Sequence, residues 1–87
     1  MSTPEELEAA TRRVNGLAKA PSTDDMLALY GFFKQANAGD ATGSRPGMLD
    51  PKGRAKFDAW SSRKGMAGAE AKTRYVALVG ELAKKLG

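Results

Sequence analysis

Residues 39–49, GDATGSRPGML, hold three glycines and a proline and show no apolar period. On both sides of them apolar residues recur at three- and four-residue steps, the pattern of helices that each bury one stripe. The segment therefore splits the chain into two helical halves. A loop of about eleven residues exceeds the usual 2 to 8 between bundle helices. It is long enough to run the length of a small molecule, so the helices it joins need not be antiparallel neighbours.

The helix boundaries are well punctuated. Thr3-Pro4-Glu5-Glu6 has the form of a capping box, with proline in the first helical turn. Leu7, Ala10, Val14 and Leu17 follow on one stripe, and Lys19-Ala20-Pro21 interrupts it. Ser22 or Thr23, followed by Asp24 and Asp25, opens a second helix with negative charge at its positive end. That helix reaches about Ala38, with Gly39 as a left-handed terminator. Asp50-Pro51 starts a third helix, expected to run to about Lys64 and end at Gly65. A fourth begins near Ala67 without a clear cap and carries Tyr75, Val79, Leu82 and Leu86 on one face. The expected fold is all-α: a four-helix bundle with one long crossover loop, forming a single domain over residues 1–87.

Composition narrows the chemistry. The chain has neither histidine nor cysteine, so the commonest general base, the commonest metal ligand and all thiolate chemistry are missing. An enzyme is not expected, and neither is a metal centre. No apolar run approaches the roughly 20 residues of a bilayer span, and the acidic start MSTPEE lacks the features of a signal peptide. The expectation is a cytoplasmic protein without integral membrane association.

The net charge is +4, and its placement matters more than its size. Residues 31–64 carry Lys34, Arg45, Lys52, Arg54, Lys56, Arg63 and Lys64 against Asp40, Asp50 and Asp58. A positive middle suggests an anionic partner. One candidate is nucleic acid or a protein partner, but no nucleic-acid motif is present and the basic residues are interleaved with apolar ones.

Tyr30, Phe33 and Lys34 share one face of the second helix, at i, i+3 and i+4. By spacing alone the two rings suit the core, with Lys34 at its rim. Met26, Leu27, Leu29 and Phe32 spread apolar character over more of the circumference than one packed face requires, which leaves some of it for a ligand. On the third helix Lys52, Lys56 and Arg63 lie roughly along one side, next to Phe57 and Trp60. Tyr75 fits the core stripe of the fourth. Together these residues offer rings for a base, cations and a hydroxyl for phosphates, and methionine and leucine for an alkyl chain. Periodicity does not say whether they converge.

MLALYGFFKQANAGD at 26–40 and RPGMLDPKGRAKFDAW at 45–60, followed by Lys64-Gly65 and Tyr75, resemble the acyl-CoA-binding protein family. The likeness extends over nearly the whole chain. It implies an up-down-down-up bundle with an overhand loop between helices two and three. It also implies a monomer that binds medium- to long-chain acyl-CoA esters without chemistry, buffering and carrying them, with no other cofactor. Carried over by position, Tyr30, Lys34 and Lys56 would hold the 3′-phosphate, and Tyr30 with Phe33 would flank the adenine. Tyr75 would meet the CoA moiety or the chain near it, and Met26 and Leu27 would line the acyl groove. The chain departs from the family pattern at Phe33, where tyrosine is common, and at Phe57, where tryptophan is usual. Asn15 replaces a frequent lysine, and Pro51 a large apolar residue.

Overall fold

A computed structural model describes residues 3–87. Met1 and Ser2, part of the acidic start read above, lie outside the described residues. The helices are α1 (Pro4–Asn15), α2 (Thr23–Ala38), α3 (Pro51–Ser61) and α4 (Gly68–Leu86), and no strand occurs among the described residues. None of the helices is long and apolar enough to cross a membrane.

Three of the four starts use the side chains expected of them. At α1 both halves of the capping box form: the Glu6 N–H donates to Thr3 Oγ1, and the Thr3 N–H donates to Glu6 Oε1, each at 3.1 Å. Ser22 caps α2 by accepting from the Asp25 N–H, and Asp50 caps α3 by accepting from the Gly53 N–H. α4 has no side-chain cap. Its start is anchored instead by tertiary contacts, since Gln35 Nε2 donates to the Met66 carbonyl at 2.9 Å.

Contacts between helices fix their directions. α1 runs parallel to α4: the Thr11 hydroxyl meets the Tyr75 hydroxyl at 3.1 Å, and beyond the α1 end the Lys19 N–H donates to the Leu86 carbonyl. α2 is antiparallel to α4, because the late Gln35 lies by the α4 start and the earlier Phe33 packs on Tyr75. α2 and α3 are parallel, with Lys56 over Tyr30 early in the pair and Trp60 bonded to the Gly39 carbonyl at its end. The order is up-down-down-up.

A parallel pair needs a long return. The 11 residues of α3 span roughly 16 Å at about 1.5 Å per residue, and residues 39–50 must carry the chain back over that distance. The segment is strapped down where it leaves α2. Asp40 Oδ1 accepts from Gln35 Nε2 and from the Gly65 N–H, both at 2.8 Å. Farther along, Arg45 grips Asp58 on α3 with two parallel bonds of 2.9 and 2.7 Å.

The core consists of Leu7, Ala10, Leu29, Tyr75, Val79 and Leu82, with Val14, Leu17, Phe32 and Leu86 packed against it. α2 touches both α3 and α4, which explains its broad apolar circumference. Gln35, 1% exposed, is buried with this helix. Its two acceptors, Asp40 and Met66, fix which end of the amide points at them.

Two boundaries differ from the sequence expectation. Gly39 ends α2 at φ 78 and ψ −153, a glycine-only conformation rather than the left-handed helical one, because the chain must turn outward into the loop. α3 stops at Ser61 instead of Lys64. There the Arg63, Lys64 and Met66 N–H groups bond three residues back, which tightens the chain toward Gly65 at φ 89.

Two predictions follow from the α2–α3 joint. A Cβ on Gly31 would lie 2.5 Å from the Ala59 carbonyl oxygen, so Gly31→Ala should lose about 1–3 kcal/mol, read by urea unfolding. The bonds from Gly65 and then Gln35 hold the Asp40 carboxyl below its ordinary 3.8. Its contribution to stability is therefore present above that value and lost as pH falls through the lower folded one. Asp40→Asn should lower the thermal midpoint at pH 7, with the gap to the parent chain closing in strong acid. An unchanged midpoint at neutral pH would count against the role of the charge.

Candidate functional site

The chemistry-bearing residues gather around α2, which packs on α3 and α4 and faces α1 across a cleft. Along α2, Met26, Leu29, Tyr30 and Phe33 recur at three- and four-residue spacing and form one wall of a cleft of about 320 Å³. α1 adds Thr11, Val14 and Asn15, the α1–α2 connection adds Pro21, and α4 adds Tyr75. Met26 is 55% exposed at the rim. Tyr75 is 4% exposed and serves the core as well. Its ring lies 5.7 Å from that of Phe33, tilted by 54°. Its hydroxyl shares a hydrogen bond with Thr11, so the cleft floor contains a polar pair in an otherwise apolar lining.

At the α2–α3 joint two cations cross over. Lys34 of α2 places its Nζ 4.7 Å from the centre of the Trp60 ring on α3. Lys56 of α3 places its Nζ 5.6 Å from the centre of the Tyr30 ring on α2. Each ammonium thus rests on an aromatic face of the neighbouring helix, an attraction worth about 0.5–1 kcal/mol at exposed sites. Among the described residues the ion pairs are Arg45–Asp58 and Arg74–Glu70. Neither lysine is neutralised by a carboxylate, and both keep N–H donors for an anion. Trp60 is held in turn by its indole N–H, which donates to the Gly39 carbonyl at 2.7 Å.

Of the residues singled out from sequence, Tyr30, Phe33, Tyr75 and Met26 line the cleft, while Lys34 and Lys56 do not line it but lie at the α2–α3 joint, Lys56 over the Tyr30 ring and Lys34 over that of Trp60. Leu27 is half-buried and does not line it. It lies one turn before Gly31, on the face turned to α3. Arg63 leaves the basic side of α3, since the helix ends before it. Its guanidinium stacks 4.5 Å over the Phe32 ring and donates to the Ala59 carbonyl. Burial there pulls its pKa down from the ordinary arginine value.

Thr11, Val14, Pro21 and Leu29 were not singled out for the cleft. Thr11 stands four residues after Leu7 and three before Val14, so helical spacing alone already put it on the inner face of α1.

The family model described as Acyl CoA binding protein matches residues 4–79. The chain belongs to the acyl-CoA-binding protein family. It is 47% identical over 88 residues to an acyl-CoA-binding protein homolog of Manduca sexta, covering 100% of this chain and 98% of that protein. It is 49% identical over 78 residues to acyl-CoA-binding protein homolog 1 of Caenorhabditis elegans, covering 90% and 91%. Among solved structures, acyl-CoA-binding protein 2 of Oryza sativa superposes with a TM-score of 0.88 at 37% identity, covering 93% of this chain and 88% of that one. The acyl-CoA-binding protein of Moniliophthora perniciosa superposes equally well, with a TM-score of 0.88 at 38% identity, 97% of this chain and 83% of that one being covered.

Trp60 is the only tryptophan and reports on the crossing. Lys34→Ala should change its emission spectrum while costing at most about 1 kcal/mol of stability. A larger loss on denaturation would make Lys34 a structural residue instead.

Proposed function

We propose that this chain binds medium- to long-chain acyl-CoA esters without chemistry, buffering and carrying them as a monomeric cytoplasmic protein. In this role residues 1–87 act as one acyl-CoA-binding domain. The observation that carries the reading is the crossed pair of ammonium groups, Lys34 over Trp60 and Lys56 over Tyr30, beside an apolar cleft. Lys34, Lys56 and the Tyr30 hydroxyl take the 3′-phosphate, and Tyr30 and Phe33 flank the adenine. Tyr75 supports the CoA end from the floor, while Met26 contacts the alkyl chain at the rim; Leu27, turned to α3, does not. With tyrosine absent at 33, that ring supplies stacking and no hydrogen bond, and Asn15 supplies no charge.

A sixteen-carbon chain offers roughly 10 kcal/mol of gross burial at about 0.8 kcal/mol per methylene, before ordering costs. A solvated phosphate pair adds only about 1 kcal/mol. The head group therefore sets specificity, and the chain raises affinity. The rival role, a basic module for nucleic acid, is disfavoured by what the other cations do: Arg45 is paired with Asp58, and Arg63 is folded onto Phe32.

Isothermal calorimetry should find the long-chain ester bound far more tightly than free CoA or the free fatty acid. Tyr30→Phe and Lys34→Ala should each weaken the ester by roughly fivefold and leave the thermal midpoint nearly unchanged. Equal affinity for ester and fatty acid would remove the head group from the mechanism, and a gel shift with nucleic acid at moderate salt would favour the rival.

A further inference from the structure

Thioethers are the only sulfur this chain offers to an oxidant, since it has four methionines and no cysteine. Among the described residues their surroundings differ. Met26 is 55% and Met48 83% exposed, whereas Met66 is half-buried just before α4. Met48 stands on the long loop and does not line the cleft. Met26 thus combines an open side chain with a place in the cleft wall.

That place makes its chemistry matter. Met26 shares the wall with Leu29, Tyr30 and Phe33, and Tyr30 lies one turn away on the same face. It is no part of the core cluster, so its sulfur can change state without disturbing the packing. A hydroperoxide passes one oxygen atom to a thioether. The O–O bond breaks, an S–O bond forms, the sulfur gives up two electrons, and the peroxide leaves as water or an alcohol. The product is a polar, chiral sulfoxide. Its oxygen must shed water when an alkyl chain covers it, and the chain has no donor to offer in return.

We infer that Met26 is an oxidation site for hydroperoxides, at which the sulfoxide weakens the hold of the cleft on an alkyl chain. The effect presupposes the ester-binding role proposed for the cleft. A bound chain covers the sulfur in turn, so occupied molecules are shielded and empty ones are oxidised.

The test treats the full chain with dilute hydrogen peroxide and follows each methionine by peptide mass spectrometry. Met26 and Met48 should gain oxygen well before Met66. Saturating palmitoyl-CoA should slow Met26 severalfold and leave Met48 unchanged. By calorimetry the oxidised chain should bind palmitoyl-CoA roughly fivefold or more weakly. Its affinity for free CoA, which has no alkyl chain, and its thermal midpoint should not move. Met48→Leu should respond to peroxide as the parent does. Met26→Leu, whatever affinity it starts from, should keep that affinity through the treatment. The inference is overturned by an oxidised parent that binds as tightly as the untreated one, or by a Met26→Leu chain that loses as much as the parent. Oxidation of Met26 no faster than that of Met66, or an ester that shields neither exposed sulfur, overturns it too. An untreated parent that fails to bind palmitoyl-CoA removes the ester-binding role itself, and the coupling with it.

Discussion

The rest of the site depends on how closely α2 approaches α3 at Gly31. With no side chain there, the helix backbone comes so near the Ala59 carbonyl that a methyl group would not fit. That separation lets Lys34 reach across to Trp60 and Lys56 reach back to Tyr30. A wider gap would leave both ammonium groups in solvent, each free to adopt many rotamers. The parallel direction of the two helices is equally necessary, because it puts the two crossings in register. Parallel packing in turn requires the long return through residues 39–50.

That return is held by polar contacts more than by burial. Asp40 receives an N–H from Gln35 on α2 and one from Gly65 just before α4. It thereby ties the end of α2 and the start of the loop to the turn that launches α4. Trp60 binds the Gly39 carbonyl on the same side, so the ring that supports Lys34 is fixed by the loop it helps to strap down. Structure and site share residues here, and a change at Trp60 acts on both.

Local signals in the chain were largely reliable where they depended on near neighbours. The capping box at Thr3, the Ser22 cap and the Asp50-Pro51 start all formed as read. Signals failed where distant residues intervene. Lys64 was expected within α3, but the turn to Gly65 is pulled tight by Asp40, twenty-five positions upstream. The start of α4 had no cap to read, because its anchor is a glutamine on another helix. Among the site residues, Tyr30, Phe33 and Lys34 were legible as one face of a helix. Leu27 was grouped with Met26 although a step of one residue turns it about a quarter of the way round the helix, toward α3. Thr11 was overlooked because a hydroxyl among apolar neighbours looks like a tolerated exception until its partner, Tyr75, is seen across the cleft.

The amino-acid order by itself determined the four helices, their apolar faces and the need for a long link in the middle. All of these follow from interactions within a few turns of the chain, together with a family pattern carried by residues 26–60. Only the tertiary structure decided which lysine meets which ring, that Arg63 folds onto Phe32, and that Met48 and Leu49 stay outside. Those outcomes depend on the distance and direction between helices. Packing sets both, through contacts between residues far apart in the chain that no local spacing encodes.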